Sequence, residues 1–249
     1  MRVPVFHAAV RAGDELVRLL DEESRRRART ISDPRRRDAQ ITGQALLRVV
    51  VGPLVGVPPA DLTLDRTCLR CGGPHGKPRV PGAPVDLSLT YAGSTVLLAV
   101  SARARALVGL DAEPRRPPPG TGPAPEADRT LAHEVLGRAE LQEWRGLSVG
   151  DQEGALVRWW TRKEAVLKAL GPGGGGAPRA VRVSPPGEPP RLLAWDAALA
   201  GDDLHDPVVL ADVDLPTVVG TLAAVGPTDL APELEDAGPA LSAASLTRW

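Results

Sequence analysis

The chain has 249 residues, 43% of them hydrophobic, which is enough for one large domain or two small ones with a real core. Its formal net charge of -1 argues against a broad binding surface for nucleic acid or for an anionic membrane. Because no signal peptide and no apolar run of about 18 residues can be recognised, we expect a cytoplasmic protein that does not span a membrane.

The first half of the chain alternates between helical and extended patterns. Residues 14–31 and 38–51 place apolar side chains at helical spacing and predict two helices. Glycine and proline in residues 68–84 predict a loop. The extended patterns, which predict strands, cover residues 61–64, 85–91, 95–101 and 107–113.

The second half returns to the same kinds of element. A proline-rich surface loop at 114–127 precedes two predicted helices, one at 128–145 and a longer one that Asp151 caps and that ends at Gly171. Strand patterns follow at residues 180–184, 191–195, 207–214 and 217–225. After about Gly226 we expect a loosely held tail.

This order of elements predicts an α+β fold built from two halves. The expected boundaries are 1–105 for the N-terminal half, 106–226 for the C-terminal half and 227–249 for the tail. No direct sequence repeat relates the halves, so any twofold relation between them is structural only.

Lysine is rare in this chain. Lysine and arginine together number 30, yet only Lys77, Lys163 and Lys168 are lysines. Lysine offers a phosphate a compact point charge, whereas arginine offers a planar fork. We therefore expect an ammonium group to be needed at these three positions, with chance retention at exposed sites as the alternative.

Asp111 and Glu113 lie two residues apart in a predicted strand, so their side chains point to the same face. Two neighbouring carboxylates repel each other unless water screens them or a cation lies between them. A hard cation such as magnesium takes carboxylate oxygens together with water or phosphate oxygens. The motif alone is compatible with a magnesium site or with two solvated acids at a strand end.

The segment WTRKEAVLK, residues 160–168, belongs to the predicted helix that ends at Gly171. Glu164 and Lys168 share one helix face because they are four residues apart, and Trp160 lies one turn earlier on that face. The predicted helix also carries a set of apolar residues around this pair, namely Leu156, Trp159, Trp160, Val166, Leu167 and Leu170. A charge pair that faces a cleft and an ordinary salt bridge on a surface helix both fit this pattern.

The sequence His75-Gly76-Lys77-Pro78 lies in the predicted loop at 68–84. Glycine lets a backbone approach a ligand closely, and proline stiffens the turn. Lys77 is therefore a candidate for holding a phosphate, with a solvated lysine on a surface turn as the alternative.

These motifs occur in one order, which is HGKP, SLTYAG, GLDAE and WTRKEAVLK. The order resembles that of the 4′-phosphopantetheinyl transferases, in particular the larger, monomeric type, and the resemblance covers about residues 14–225. It implies two similar α/β halves related by a pseudo-twofold axis. It also implies transfer of the 4′-phosphopantetheine group of coenzyme A to a serine of an apo acyl or peptidyl carrier protein.

The resemblance assigns roles to the acidic residues and to one lysine. Asp111, Glu113 and Glu164 are expected to hold magnesium on the pyrophosphate of coenzyme A. Glu164 is also expected to deprotonate the carrier serine, directly or through water, and Lys168 to lie near the attacked phosphate. The catalytic residues implied in this way are Glu164 and Lys168.

The resemblance also implies which residues bind coenzyme A. Lys77 is expected to grip the nucleotide end with Pro78 beside it, while Arg27 and Arg36 are expected to contact the 3′-phosphate. The remaining candidates for contact with coenzyme A are Thr90, Tyr91, Lys163 and Lys168. An arginine that the family has just before the second helix is Ala39 in this chain.

Tyr91 departs from the family pattern, which usually has histidine at this position, next to the nucleotide phosphate. The tyrosine hydroxyl can donate a hydrogen bond but carries no positive charge near neutral pH. We therefore expect weaker discrimination between coenzyme A and dephospho-coenzyme A than in relatives that carry histidine.

Cys68, Cys71 and His75 form the pattern C-x₂-C-x₃-H. Structural zinc normally takes four ligands, and no second pair follows nearby. We therefore expect a loop with two reduced thiols rather than a zinc site.

Two other functions remain as alternatives. A non-catalytic relative that binds coenzyme A or a carrier protein would account for Tyr91 and Ala39, although the complete set of three acids argues against it. A zinc-dependent nucleic-acid-binding module would use the cysteine loop and the arginine-rich residues 25–37, but the near-zero net charge argues against it. The sequence does not identify a carrier; the proline-rich loop at 114–127 is a candidate contact with it.

Overall fold

The structure is a computed structural model that describes residues 1–12, 14–68, 71–101, 106–115, 125–171, 178–195 and 206–246. Its helices are α1 (Glu22–Thr30), α2 (Pro34–Val55), α3 (Pro125–Val135), α4 (Arg138–Gly146), α5 (Val149–Leu170) and α6 (Gly238–Leu246). Its strands are β1 (Arg2–Ala9), β2 (Asp86–Ala92), β3 (Thr95–Ser101), β4 (Leu107–Pro114), β5 (Val181–Val183), β6 (Leu192–Trp195), β7 (Val208–Leu215), β8 (Val218–Val225) and β9 (Ala231–Asp236). Within these ranges, no helix combines the length and the apolar character that crossing a membrane requires.

The N-terminal sheet has the strand order β2-β3-β1-β9 and packs against α2. Asp33 precedes Pro34, the first residue of α2, and its side chain accepts a hydrogen bond from the Arg35 N–H at 3.0 Å, which caps the helix. The helix and the sheet bury a common apolar cluster that includes Ile41, Leu46, Leu47, Val51, Leu87, Leu98 and Val100.

The C-terminal sheet has the order β4-β8-β7 and packs against α5. The contact is closest at Gly109 of β4. A Cβ atom there would lie 2.0 Å from the carbonyl oxygen of Ala165 and 2.3 Å from the amide nitrogen of Ala169, so only glycine allows this approach. The approach fixes the side chains that follow Gly109 on β4 against those of α5.

The two halves repeat one topology. β1, α2 and the β2–β3 hairpin correspond to β4, α5 and the β7–β8 hairpin, and in each half the first strand pairs antiparallel with the last strand of the hairpin. The predicted α+β fold with two similar halves is confirmed. The division of the chain at residues 105 and 226 stays a prediction.

The halves meet where β2 lies against β4. Alternate side chains of β2 bond to the backbone of β4, because Asp86 accepts from the Val108 N–H at 2.6 Å and Ser88 from the Leu110 N–H at 2.9 Å. Apolar residues from both halves form one cluster beside these bonds, including Val3, Val5, Leu97, Leu110, Val218 and Leu222. The polar face of β2 thereby fixes the position of β4.

Both ends of the chain differ from the sequence prediction. β1 is not predicted from the sequence, and it pairs parallel with β9. The residues after Gly226 are not a loosely held tail, because β9 completes the N-terminal sheet and Leu241 of α6 is fully buried in the N-terminal core.

Two predicted helices are interrupted. The 14–31 segment forms a 3-10 turn and then α1, because Asp21 accepts from the Ser24 N–H at 2.8 Å and starts a new helix. The 128–145 segment forms α3 and α4, which are separated at Gly137.

Three further predictions concern loops and a cap. Residues 61–64 do not form a strand, since a 3-10 turn ends at Asp61. Ser148, and not Asp151, takes the position before α5. Most of the proline-rich loop, residues 116–124, lies outside the described residues.

Candidate active site

The carboxylates predicted to hold a metal lie where β4 packs against α5. Asp111 and Glu113 belong to β4, and Glu164 belongs to α5 on the far side of the close contact at Gly109. The negative charges of Asp111 and Glu113 both raise the pKa of Glu164, which shows that the three groups are near enough to interact. The structure therefore brings the three acids into one electrostatic cluster.

Asp111 is the most deeply buried of these acids, with 5% of the residue exposed. Its Oδ1 accepts a hydrogen bond from the Lys168 ammonium at 2.5 Å and one from the Thr90 hydroxyl at 3.4 Å. Its Oδ2 is buried, and no hydrogen-bond donor among the described residues reaches it. A buried carboxylate oxygen without a donor costs free energy that a bound cation would recover.

The three acids are spaced more widely than the ligands of a preformed metal cage. Their oxygens do not all lie within 4.8 Å of one another in the described structure. Magnesium commonly uses one or two carboxylates and takes its other ligands from water and substrate phosphates. The acids therefore fit a magnesium site that a phosphate-bearing substrate would complete.

Glu164 has an altered proton affinity. Partial burial raises its pKa, Asp111 and Glu113 raise it further, and the nearby Lys168 ammonium opposes them. A carboxylate whose pKa is raised above its ordinary range is a better proton acceptor once it is ionised, as a general base requires.

The raised pKa of Glu164 predicts a pH-dependent stability in the absence of metal. Below the ordinary glutamate pKa the group is protonated in both states; as pH rises, the folded protein retains the proton longer than the unfolded chain does. The free energy of unfolding should therefore fall between the ordinary pKa and the raised one and then level off. Urea unfolding across this range in the presence of EDTA measures it.

The matched variant for this experiment is Glu164→Gln. Its stability profile should lack the falling component, so the wild-type curve minus the variant curve isolates Glu164 from the other carboxylates. Two parallel curves would mean that Glu164 does not retain its proton on folding.

Lys168 lies at the acids and Lys163 does not. The Lys168 side chain is 33% exposed, and its ammonium lies 2.5 Å from Asp111 and 3.3 Å from the carbonyl oxygen of Leu110. The Lys163 side chain is fully buried, and its ammonium lies 2.6 Å from Glu140. It also donates to the Val181 carbonyl at 2.7 Å.

The prediction that Lys163 binds coenzyme A is therefore wrong for this structure. Lys163 and the neighbouring Arg162 lie on the side of α5 that faces the interior. Arg162 is 1% exposed and donates to Asp212 at 2.7 Å and to the Ser184 carbonyl at 2.9 Å. Both cations fasten α5 to the surrounding elements.

Lys77 is also engaged within the protein. Its ammonium lies 2.5 Å from Asp86 and 2.8 Å from the carbonyl oxygen of Val108, and 9% of its side chain is exposed. Burial lowers its pKa, and Asp86 opposes that change. This position contradicts the prediction that the Lys77 ammonium holds a phosphate, because it joins β2 to β4 instead. The role of the adjacent Pro78 stays a prediction.

A large groove opens on the N-terminal side of the acids, with a volume of about 1200 Å³. Tyr91, the neighbour of Thr90 on β2, lines it together with Arg35 and Arg36 from the start of α2. Asp33 and Asp38 also line the groove and balance part of this positive charge. Of the predicted nucleotide contacts, Arg36 and Tyr91 therefore face one common space.

Tyr91 is 36% exposed, but its hydroxyl points inward and accepts a weak hydrogen bond from the Gln44 amide at 3.5 Å. Burial of the hydroxyl raises the pKa of Tyr91. The ring therefore presents an uncharged wall to the groove.

A smaller cavity of about 140 Å³ is lined by residues of β4, α3 and α5. Its lining includes Glu113, Asp128 and Glu153 together with the apolar side chains of Leu156 and Trp160. Trp160 thus lies beside the acid cluster, as its place one turn before Glu164 predicts.

Comparison with known proteins decides the family. A sequence model of the 4′-phosphopantetheinyl transferase superfamily matches residues 107–205, which include Asp111, Glu113, Glu164 and Lys168. A phosphopantetheinyl transferase of Thraustochytrium sp. is 31% identical over 179 residues, which cover 67% of this chain and 57% of that protein. The chain belongs to the 4′-phosphopantetheinyl transferase superfamily.

Other members of the superfamily match shorter stretches. The 4′-phosphopantetheinyl transferase AcpT of Salmonella typhimurium is 35% identical over 100 residues, covering 40% of this chain and 47% of that protein. The chain thus spans about half the length of the curated relatives it matches. The holo-[acyl-carrier-protein] synthase structure from Neisseria meningitidis gives a TM-score of 0.36 at 19% identity, covering 48% of this chain and 97% of that one. The holo-ACP-synthase structure from Plasmodium yoelii gives a TM-score of 0.33 at 17% identity, covering 49% of this chain and 94% of that one.

The sequence reasoning misses the buried polar residues around the superfamily motifs. Arg48 is fully buried and forms a salt bridge with Asp21 at 2.8 Å. Arg66 donates to Gln44 at 2.7 Å, directly behind Tyr91. These residues are far apart in sequence, and no local motif connects them.

Arg27 does not face the groove. It donates to Glu23 at 2.9 Å and to the carbonyl oxygen of Pro74 at 2.8 Å, and it does not line the large groove. It thus ties α1 to the loop that contains Pro74. The predicted contact between Arg27 and the 3′-phosphate would require this side chain to leave both partners.

Proposed function

We propose that the protein transfers the 4′-phosphopantetheine group of coenzyme A to a serine of an apo acyl or peptidyl carrier protein. The products are the holo carrier protein and adenosine 3′,5′-bisphosphate. Membership of the superfamily supports this function. The observation that carries it is that Asp111, Glu113 and Glu164 interact with one another beside Lys168, together with a buried Asp111 oxygen that no donor among the described residues reaches.

The acids suit a magnesium ion as cofactor. Asp111 Oδ2 is a buried oxygen that no donor in the described part of the chain reaches, and Glu164 and Glu113 offer two further carboxylates within electrostatic reach. Bound there, magnesium would neutralise the pyrophosphate of coenzyme A and stabilise the charge that develops on its bridging oxygen.

Glu164 is proposed as the proton acceptor. The serine oxygen forms a bond to the phosphorus that bears pantetheine, and the bond from that phosphorus to the bridging oxygen breaks. The serine proton passes to Glu164, directly or through water, and adenosine 3′,5′-bisphosphate leaves with the bridging oxygen. Such a base contributes about 10²–10⁴-fold in rate. Lys168 would place a positive charge near the attacked phosphate.

The nucleotide end is proposed to bind in the large groove. Arg36 is an exposed cation on the groove wall, and it lies in the first turn of α2, at the positive end of the helix dipole. Thr90 connects the two parts of the site, because its hydroxyl bonds to Asp111 while its neighbour Tyr91 lines the groove.

The assay that tests the function uses the purified chain, coenzyme A, magnesium and several apo carrier proteins, with the intact mass of each carrier as readout. A gain of one phosphopantetheine that disappears with EDTA supports the proposal, and its extent ranks the carriers. No gain on any carrier, with coenzyme A still bound, would favour a non-catalytic relative. No gain and no coenzyme A binding would reject the assignment.

We further propose that the protein is cytoplasmic and acts as a monomer. A monomer suffices because one chain supplies the whole site: β4 and α5 carry the acids, and β2 and α2 line the groove. Light scattering of the active preparation would test this state.

Tyr91→His should increase the preference for coenzyme A over dephospho-coenzyme A. A protonated imidazole on the groove wall adds a charged donor for the 3′-phosphate, worth about 10-fold in the ratio of kcat/KM below pH 6.5. Tyr91→Phe, which removes only the hydroxyl, is the control and should leave the ratio near that of wild type. An unchanged ratio in Tyr91→His would place the 3′-phosphate away from this residue.

A further inference from the structure

The loop before β2 is held together by its own backbone. Asp65 and Arg79 close its base with two hydrogen bonds, of 2.9 and 2.8 Å, between their backbone groups. The Gly76 N–H then donates to the carbonyl oxygen of Arg66 at 2.7 Å. A Cβ on Gly76 would lie 2.6 Å from the carbonyl oxygen of Thr67, so glycine is required for this closure. We call the described residues 65–68 and 71–79 the Cys-His loop.

Its tip is a tight turn around two cysteines. The Gly72 N–H donates to the carbonyl oxygen of Cys68, and the Cys68 N–H donates to that of Gly73, both at 2.8 Å. Gly72 has φ +70°, which favours glycine. The Gly73 N–H points at the sulfur of Cys71 at 3.4 Å.

The turn brings His75 onto the same sulfur. His75 Nε2 lies 2.9 Å from Cys71 Sγ, and the ligand atoms of Cys68, Cys71 and His75 all lie within 4.8 Å of one another. Two donors about 2.0–2.3 Å from one tetrahedral zinc ion are separated by about 3.5–3.8 Å. The three atoms are therefore spaced to bind a single ion after small side-chain rotations.

We propose that Cys68, Cys71 and His75 bind one zinc ion, with water in the fourth position. Two thiolates and an imidazole are the donors that zinc prefers, whereas magnesium prefers oxygen. Binding converts both thiols to thiolates and releases two protons to solvent, with no change of oxidation state. The sequence offers only three nearby ligands and so predicts two reduced thiols, but the folded loop brings those three ligands together.

The ion would fix the loop against the wall of the large groove. The carbonyl oxygen of Pro74 accepts from Arg27 of α1, and Arg66 donates to Gln44 of α2 behind Tyr91. Removing the ion should therefore loosen both attachments. This proposal does not depend on the transferase activity, because metal binding is measured directly.

The test begins with the intact protein freed of metal under reducing conditions and titrated with Co²⁺ and then Zn²⁺. We expect one equivalent of Co²⁺ to give the intense visible absorption of a tetrahedral thiolate site, zinc to displace it, and the thermal midpoint to rise with zinc. Absence of this spectrum, or metal uptake only by weak binding with no defined stoichiometry, would overturn the proposal.

Two variants and a control locate the site. Cys71→Ser and His75→Ala should each weaken zinc binding by at least 10-fold, whereas His133→Ala, which changes an exposed histidine on α3, should retain it. Equal loss in the control, or full binding in both variants, would reject these ligands. If the loop instead forms a Cys68–Cys71 disulfide that persists in zinc-containing reducing buffer, with a mass two hydrogens lower, the proposal is also wrong.

Discussion

Replacing Asp111 with asparagine is expected to lower phosphopantetheine transfer by at least about 100-fold while leaving the fold intact. Asparagine has the same shape, and its carbonyl oxygen can still accept the hydrogen bond from Lys168. Its amide nitrogen, however, takes the place of Oδ2, the buried oxygen that no described donor reaches. An amide nitrogen cannot bind a cation, so the variant should lose magnesium at this position.

The measurement combines intact-mass assays of transfer with calorimetric titration of magnesium into the complex with coenzyme A. Asp229→Asn is the control, because that side chain is 85% exposed and forms only a surface ion pair with the N-terminus. Transfer and magnesium binding should fall together in Asp111→Asn and stay normal in Asp229→Asn. Normal transfer in Asp111→Asn would show that Asp111 only positions Lys168.

The centre of the site follows from two periodicities that the sequence displays. The period of two in a strand puts Asp111 and Glu113 together, and the helical period puts Glu164 and Lys168 on one face. Gly109, in the same motif, allows β4 and α5 to approach, which brings the two pairs near each other. This part could be predicted because each rule concerns residues close in sequence.

The three lysines of this chain lie in different settings, and the role of Lys168 beside the attacked phosphate stays a prediction. All three ammonium groups contact a carboxylate, but Lys77 and Lys163 serve partners inside the protein, Asp86 and Glu140. The scarcity of lysine indicates that an ammonium group is needed at these positions. It does not tell whether the partner of that group is a phosphate or a buried carboxylate. Glu140 lies on another helix, so no spacing rule could have indicated its pairing with Lys163.

The polar face of β2 could have been recognised. Asp86, Ser88 and Thr90 alternate with apolar residues, and Ser88 and Thr90 are nearly fully buried. Alternation in a strand that has both faces covered indicates that the polar side chains bond to a neighbouring backbone. The sequence contains no comparable signal for the pairing of β1 with β9, because these strands lie at opposite ends of the chain and meet only in the complete fold.

Lys163→Met is expected to lower the free energy of unfolding by about 3–5 kcal/mol. Methionine keeps most of the aliphatic volume but removes the ammonium, which leaves the Glu140 carboxylate buried without a counter-ion. Two backbone N–H groups, of Gly137 and Val183, would still donate to it, at 2.8 and 3.1 Å. They do not replace the lost charge. Urea unfolding gives the stability, and transfer per folded molecule should remain near wild type.

The matched variant is Lys168→Met, the same substitution five residues later on the same helix. Because the Lys168 side chain is 33% exposed but that of its partner Asp111 is only 6% exposed, its loss also leaves a buried carboxylate without its cation and should lower stability as well. The two variants should differ in transfer per folded molecule, which falls in Lys168→Met and stays near wild type in Lys163→Met. Adding Glu140→Gln to Lys163→Met should restore part of the lost stability, since it removes the unpaired charge. If the Lys163→Met protein is stable but binds coenzyme A more weakly, Lys163 contacts coenzyme A and does not serve mainly to hold α5 in place. The two methionine variants together separate an ammonium that holds α5 in place from one that belongs to the reaction.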